Sequence, residues 1–133
     1  MLGEGGKVLS IGVDIIEVER IESAIRQWDK RFLNRIYTEA ERKICQGRIP
    51  ALAARFAGKE AVMKVLGTGT KGVGWQEIEI LADARGKPLV QLYGKASETS
   101  KKLNLTEFSI SLSDTKQYAV AAAIGAQKLN STA

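Results

Sequence analysis

The chain has 133 residues, the length of one domain, and can bury a hydrophobic core without disulfide bonds. The absence of histidine excludes Ser–His–Asp and Cys–His catalysis and every zinc site that needs an imidazole ligand. The single cysteine, Cys45, excludes a disulfide framework within the chain. Without a histidine partner, it is interpreted as a buried or surface bystander and not as a nucleophile.

The net charge of +5 indicates an anionic partner. An acidic protein and a polyphosphate ligand fit this charge equally well. A nucleic acid fits less well, because the basic residues are not interleaved with aromatic ones. A solvated basic face is the remaining alternative. No apolar run reaches the length of a membrane span, and no signal peptide is recognisable, so we expect a soluble cytoplasmic protein. Most of the excess charge lies in one segment, on Arg20, Arg26, Lys30, Arg31, Arg35, Arg42, Lys43 and Arg48.

The first predicted element is a strand over residues 8–16, which follows a glycine-rich leader over residues 1–7. Its sequence, VLSIGVDII, is β-branched and apolar enough for a strand that is buried on both faces. Asp14 interrupts this run, and an acid in a buried strand is costly unless it is paired or binds a metal. The residues leave a second interpretation open, in which Asp14 caps the following helix.

The next segment, Glu17 to Trp28, has the period of an amphipathic helix. Arg20 and Arg26 lie off its apolar face, where they could meet a partner. The predicted apolar face consists of Val18, Ile21, Ala24, Ile25 and Trp28.

Two shorter helices are predicted over Lys30–Tyr37 and Thr38–Gln46. Thr38 followed three residues later by Glu41 is a capping box, which is typical of a helix start. Gly47 is predicted to end the second of these helices.

The stretch from Ala51 to Gly74 contains the longest predicted helix, from Pro50 to Leu66. Glu60 and Lys64 lie one turn apart on one face of this helix. Short side chains border the pair, so we expect the carboxylate and the amine to project from a roomy face. The alternative is a surface pair worth a few tenths of a kcal/mol. The short side chains are those of Ala53, Ala57 and Ala61, and Phe56 flanks the pair.

A glycine-rich connector, GTGTKG over residues 67–72, follows this helix. Its backbone can come close to a phosphate, because no Cβ blocks the approach at glycine. The alternative is a helix cap, for which Gly67 is suited, followed by an ordinary loop. The connector is not a P-loop, because the order G-x-x-x-x-G-K-[ST] is absent.

The second half of the chain predicts strands with one polar helix among them. Helices in the first half and strands in the second give an α+β class. We therefore expect one domain over residues 1–133, with flexible ends at residues 1–7 and 126–133. The predicted strands span residues 75–82, 89–93, 106–113 and 117–124, and the helix spans residues 94–103.

Four stretches carry a family resemblance, in order and over nearly the whole chain. They are G-V-D-I through R-I at residues 12–21, F-x-x-K-E-A-x-x-K at residues 56–64 with G-T-G after it, G-W through G-K-P at residues 74–88, and S-I-S-L-S through A-V-A at residues 109–121. Together they resemble the small holo-acyl-carrier-protein synthases, a class of 4′-phosphopantetheinyl transferases. The resemblance implies a long central helix packed on a small, mainly antiparallel sheet.

The resemblance implies transfer of 4′-phosphopantetheine from coenzyme A to a serine of an apo acyl carrier protein, giving adenosine 3′,5′-bisphosphate. It also implies Mg²⁺ as cofactor and a homotrimer with sites between subunits. Asp14 and Glu60 are then the metal ligands, and Lys64 binds phosphate and assists the leaving group. With no histidine in the chain, Glu60 is the leading candidate for the base that accepts the serine proton.

Further roles also follow from the resemblance. Coenzyme A is expected to contact Arg55, Phe56, Lys59 and Lys64, with Gly67, Thr68 and Gly69 lining the phosphate path. The acidic carrier protein is expected on Arg20, Arg26 and Lys30.

One position departs from the family pattern. Leu112 stands where family members usually carry a histidine that is thought to help hold the phosphate end of coenzyme A. Two other functions are weighed against the transferase. A noncatalytic module that binds coenzyme A or carrier protein does not need Asp14, Glu60 and Lys64 together. A nucleic-acid-binding protein would use the basic charge alone.

Overall fold

The computed structural model describes residues 9–128, so the expectations for residues 1–8 and 129–133 lie outside it. Buried side chains of these described residues form one hydrophobic core. The elements run in the order β1 (Leu9–Glu17), α1 (Val18–Trp28), α2 (Lys30–Ile36), α3 (Glu39–Cys45), α4 (Ile49–Leu66), α5 (Gly69–Gly72), a 3-10 turn (Trp75–Glu77), β2 (Ile78–Ala82), β3 (Pro88–Leu92), α6 (Gly94–Lys102), β4 (Glu107–Asp114) and β5 (Tyr118–Ala126).

Two antiparallel sheets are present among these elements. The larger has the strand order β1-β5-β4, and the smaller is the β2–β3 hairpin. In the larger sheet, Asp14 of β1 and Leu112 of β4 both pair with Ala121 of β5, so these three residues form one row across the sheet. The predicted α+β class and both predicted hairpins are confirmed. Ala126, expected in a flexible tail, pairs with Leu9 and Glu107 as the last residue of β5.

Helix α4 packs directly on the sheet through small residues. Ala53, Ala57 and Ala61 are fully buried, so the expectation of a roomy helix face is wrong. A Cβ on Gly12 of β1 would overlap the carbonyl oxygen of Ala61, which shows how closely the strand approaches the helix. The short side chains therefore admit the sheet and bring the polar residues of β1 against those of α4.

Strand β1 is buried on one face only in this chain, in contrast to the expectation of burial on both faces. Its inner side faces α4, where Ser10 Oγ donates a hydrogen bond to the Val65 carbonyl oxygen at 2.9 Å. Its outer side carries four large aliphatic residues that are 57–70% exposed. An exposed apolar face of this kind is typical of an interaction surface. The four are Leu9, Ile11, Val13 and Ile15.

Several predicted boundaries change. Trp28, placed on the apolar face of α1, is 51% exposed at its end. Helix α3 ends at the left-handed Gln46 (φ 51°), one residue before the predicted Gly47. The strand predicted from residue 75 begins at Ile78, because residues 75–77 form the 3-10 turn. Helix α5 was not predicted.

Other local predictions are confirmed. Thr38 and Glu41 form the capping box of α3 with both reciprocal hydrogen bonds, and Gly67 ends α4 in a left-handed conformation (φ 73°). Cys45 is fully buried. No helix among residues 9–128 is both long enough and apolar enough to cross a membrane.

Candidate active site

Asp14 and Lys64 form an ion pair between β1 and α4. Lys64 Nζ lies 3.3 Å from Asp14 Oδ1 and donates a hydrogen bond to the Val13 carbonyl oxygen at 2.8 Å. The Asp14 side chain is 13% exposed and the Lys64 side chain 55%. Asp14 lies in mid-strand, three residues before Glu17, so the interpretation of Asp14 as a helix cap is wrong.

Glu60 lies beside this pair, half-buried on α4. Burial raises the pKa of its carboxyl group, and the negative charge of Asp14 raises this pKa further. Lys64 and Arg20 act in the opposite direction. Two carboxylates therefore share the positive charge of one lysine. The alternative of a surface Glu60–Lys64 pair is wrong, because Lys64 pairs with Asp14.

A cleft of about 340 Å³ opens at these carboxylates. We call it the carboxylate cleft. Asp14, Arg20 and Glu60 are its charged lining residues, and the other lining residues are aromatic or aliphatic. The lining residues that matter below are Asp14, Arg20, Ile21, Phe32, Phe56 and Glu60.

The aromatic rings of Phe32, Phe56 and Trp75 lie next to one another, and the first two line this cleft. Phe56 stacks on Trp75 with ring centroids 4.8 Å apart and an interplanar angle of 25°, and Phe32 lies 6.4 Å from Phe56. Trp75 lines a second, more open cleft of about 540 Å³, which we call the Trp75 cleft. The Phe56–Trp75 pair thus has one ring in each cleft. The Trp75 cleft also contains Asn34, Arg35, Thr70 and Gly74.

Lys59 does not face either cleft, so the expectation that it contacts coenzyme A is wrong for this chain. Its side chain is fully buried, with Nζ 2.8 Å from Glu41 Oε1. Nζ also donates hydrogen bonds to the carbonyl oxygens of Trp75, at 3.0 Å, and Ile78. Burial lowers the pKa of Lys59, whereas Glu41 raises it. The ammonium group therefore uses all three of its donors inside the protein.

Arg55 is also inside and not at the predicted coenzyme A site. It is 7% exposed, and its Nε donates a hydrogen bond to the Ile80 carbonyl oxygen at 2.9 Å. The alternative of a solvated helix edge is equally wrong for both side chains. Arg55 and Lys59 instead attach the β2–β3 hairpin to α4.

The glycine-rich connector has a conformation that requires glycine. Gly67 and Gly69 have positive φ angles of 73° and 61°, and nothing lies within 4 Å of a Cβ built on either. The backbone next to Thr68 is therefore open to an incoming group. Contact with a phosphate stays a prediction.

The three residues predicted to bind a partner separate in the structure. Arg20 reaches the carboxylate cleft and lowers the pKa of Glu60. Arg26 in the last turn of α1 and Lys30 at the start of α2 are both exposed. Leu112, at the departure from the family pattern, lies within contact distance of Gly58 on the core side of β4.

Phe32 and the cleft role of Trp75 were not found from the sequence. Phe32 reaches the cleft because the chain turns between α1 and α2 at Asp29, which has φ 47° and ψ −121°. No glycine or proline marks that turn. Trp75 was placed in a strand, although the glycine before it signals a break.

Comparisons with known proteins agree with this geometry. The model of the 4′-phosphopantetheinyl transferase superfamily matches residues 10–123. The holo-[acyl-carrier-protein] synthase of Dehalococcoides mccartyi is 48% identical over 114 residues, which are 86% of this chain and 95% of that protein. The chain belongs to the holo-acyl-carrier-protein synthase family.

Two solved structures of this family are similar in fold. The holo-(acyl-carrier-protein) synthase from Bacillus anthracis, in complex with coenzyme A (3′,5′-ADP), has a TM-score of 0.75 and 33% identity, covering 92% of this chain and 100% of that one. The Helicobacter pylori enzyme, in complex with coenzyme A, has a TM-score of 0.79 and 29% identity, covering 86% and 98%. The family resemblance and the fold expected from it are confirmed.

Proposed function

We propose that this chain transfers 4′-phosphopantetheine from coenzyme A to a serine hydroxyl of apo acyl carrier protein. The products are holo acyl carrier protein and adenosine 3′,5′-bisphosphate. The observation that carries this function is that Asp14 and Glu60 line one cleft, with Lys64 paired to Asp14, in a member of this family. A binding module has no need for two carboxylates and an amine at the same point.

The donor set fits a hard divalent cation. Asp14 and Glu60 present two carboxylates to one lysine, and the negative charge of Asp14 raises the pKa of Glu60. Among residues 9–128, no cluster of three or more metal-ligating side chains occurs, and Mg²⁺ needs no more than one or two carboxylates with substrate and water oxygens. Asp14 and Glu60 would hold Mg²⁺, which when bound neutralises charge on the pyrophosphate.

The other parts of the proposed reaction are carried out by side chains of the protein. Lys64 Nζ is paired with Asp14 and its side chain is more than half exposed, so it binds a phosphate oxygen and stabilises the charge on the leaving group. Glu60, half-buried beside Asp14, accepts the serine proton. Arg20 orients an anionic group at the mouth of the cleft.

The carrier protein docks on the exposed cations at the junction of α1 and α2. Arg26 and Lys30 lie there and, within the described part of the chain, neither is in an ion pair. Carrier proteins that react with this family are acidic, so opposite charges steer the encounter. The serine then enters the carboxylate cleft past Phe32.

The assembly is a homotrimer that covers the outer face of β1. Leu9, Ile11, Val13 and Ile15 on this face and Ile124 on the neighbouring strand are 40–70% exposed. An apolar strip of this length is typical of an obligate interface. Val13 and Ile15 on this face flank Asp14 along β1, which supports the proposal of an active site between chains.

The test is the intact mass of an apo acyl carrier protein after incubation with the chain, coenzyme A and Mg²⁺. We expect a gain of one phosphopantetheine, and its loss on addition of a chelator. Glu19→Gln, an exposed change outside the cleft, is the control and should leave the gain unchanged.

Two other outcomes are informative. No gain with any of several carrier proteins, while coenzyme A still binds, would favour the noncatalytic module. A gain in mass that persists in the presence of chelator would support the transferase activity but contradict the proposed role of Mg²⁺.

A further inference from the structure

The Trp75 carbonyl oxygen is held by Lys59, one residue before Glu60 on α4. The hydrogen bond from Lys59 Nζ is 3.0 Å long. Lys59 is fully buried and lines neither cleft, so it cannot touch a substrate. Whatever it contributes to the reaction must pass through the groups it binds.

The ring of Trp75 is stacked on Phe56, which lies one helical turn before Glu60. Phe56 lines the carboxylate cleft and Trp75 lines the Trp75 cleft. The stacked rings therefore join the lining of one cleft to that of the other, and a ligand that occupies both clefts would contact this pair.

Within residues 9–128, the other hydrogen bonds of the 3-10 turn do not connect it to α4. Gln76 Nε2 donates hydrogen bonds to the carbonyl oxygens of Asn34 and Tyr37, and Glu77 accepts one from the Gly74 backbone at 2.9 Å. These contacts attach the turn to α2 and to Tyr37 just after it, and close the turn on itself. Glu77 also accepts hydrogen bonds from the backbone N–H groups of Tyr93 and Lys95, which attach the turn to the start of α6. The polar bond from the turn to α4, which carries Phe56 and Glu60, is made by Lys59.

We propose that Lys59 is a positioning residue, which fixes the Phe56–Trp75 ring pair through the Trp75 carbonyl oxygen and thereby sets the affinity for coenzyme A. This role rests on the proposed function, in which coenzyme A is the ligand long enough to need both clefts. A charged donor suits it, because hydrogen bonds from ammonium groups are stronger than neutral ones. The partner Glu41 keeps that charge inside the protein.

The test separates this bond from the buried ion pair. Glu41→Gln removes the acid of the pair, which costs stability, but leaves Lys59 in place to donate to the Trp75 carbonyl oxygen. Glu41→Gln with Lys59→Met also removes the bonds from Lys59 to Trp75 and Ile78 and leaves no unpaired charge, so this double variant should fold. We expect the KM for coenzyme A of the double variant to rise about tenfold over that of Glu41→Gln, with kcat within about threefold. Equal KM values in the two variants would overturn the proposal, because a loss of stability alone lowers the amount of active protein and not its KM.

A second readout needs no activity. In a Trp28→Phe background, Trp75 is the remaining tryptophan of the chain. We expect its emission to move to longer wavelength and its quenching by acrylamide to increase in the double variant, but not in Glu41→Gln. Unchanged emission and quenching in the double variant would overturn the proposal whatever the kinetics. Failure of the wild-type chain to modify any carrier protein would count against the proposed function and leave this fluorescence test intact.

Discussion

Helix α4 holds two lysines that each pair with an acid from another element, but the surroundings of the two pairs are opposite. Lys59 and Glu41 lie 2.8 Å apart with both side chains fully buried. Lys64 and Asp14 lie 3.3 Å apart with the lysine more than half exposed. The first pair is satisfied by the protein, whereas the second leaves donors and lone pairs open to a ligand.

This difference shows that one helix can carry one lysine that stabilises the fold and another that is free to bind a ligand. A buried pair is costly to break, because the remaining partner is left charged in a low-dielectric interior. A pair with one partner largely exposed adds less stability, because water screens it. The two lysines of the motif K-E-A-x-x-K therefore have different roles, one in stability and one in the reaction. Four predictions test this difference.

The largest expected effect is on stability. Lys59→Met should lower the free energy of unfolding by about 3–5 kcal/mol, because it leaves Glu41 buried and unpaired. Lys64→Met, the matched change at the exposed pair, should lower it by less than about 1 kcal/mol. Urea unfolding followed by circular dichroism measures both. Similar losses in the two variants would mean that burial does not distinguish the pairs.

The next effect is on catalysis. Asp14→Asn should lower turnover at saturating coenzyme A and Mg²⁺ by about 100-fold, equivalent to about 2.7 kcal/mol of transition-state stabilisation, because one of two carboxylates loses its charge. The unfolding free energy should change by no more than about 1 kcal/mol. The mass gain of the carrier protein over time gives the rate. If turnover stayed within fivefold of the wild type, the assignment of Asp14 as a metal ligand would be wrong.

The close approach of β1 to α4 gives a third test. Gly12→Ala places a methyl group against the Ala61 carbonyl oxygen and 3.0 Å from Lys64 Cβ. We expect a loss of about 1–3 kcal/mol in unfolding free energy, with lower turnover because Asp14 moves away from Lys64.

The matched control for this change is Gly74→Ala. Its new methyl group meets Glu77 Cγ at an ordinary 3.5 Å, so its stability should stay within about 0.5 kcal/mol of the wild type. A Gly12→Ala variant as stable and active as the wild type would show that the strand can shift without consequence.

Much of this architecture could be predicted from local patterns. The capping box at Thr38 and the glycine at the end of α4 have local causes, and the structure reproduces both. The contact between Asp14 and Lys64 joins residues 50 positions apart, and spacing alone could not predict it. Family resemblance named these residues, but the packing of Gly12 on Ala61 is what brings them together.

The failures have one physical origin. From the sequence, Arg55 and Lys59 were expected to face a ligand or solvent, because helical periodicity does not show which group a charged side chain binds. Their burial depends on carbonyl groups from the β2–β3 hairpin and on Glu41, none of which a helical pattern reveals. The prediction for the outer face of β1 failed in the opposite sense, because apolar residues were expected to be buried and are exposed in this chain.

The smallest expected effect concerns docking, and it extends the comparison to charges beyond both pairs. Arg26→Glu with Lys30→Glu should raise the KM for carrier protein several-fold and leave that for coenzyme A unchanged, because these exposed cations lie at the proposed docking surface. The effect should shrink at high salt, where charges separated by more than about 8–10 Å are screened. The matched control, Lys101→Glu with Lys102→Glu, makes the same change in net charge at the end of α6. If both double variants raise this KM equally, the carrier protein responds to the overall charge of the chain, and the junction of α1 and α2 is not its docking site.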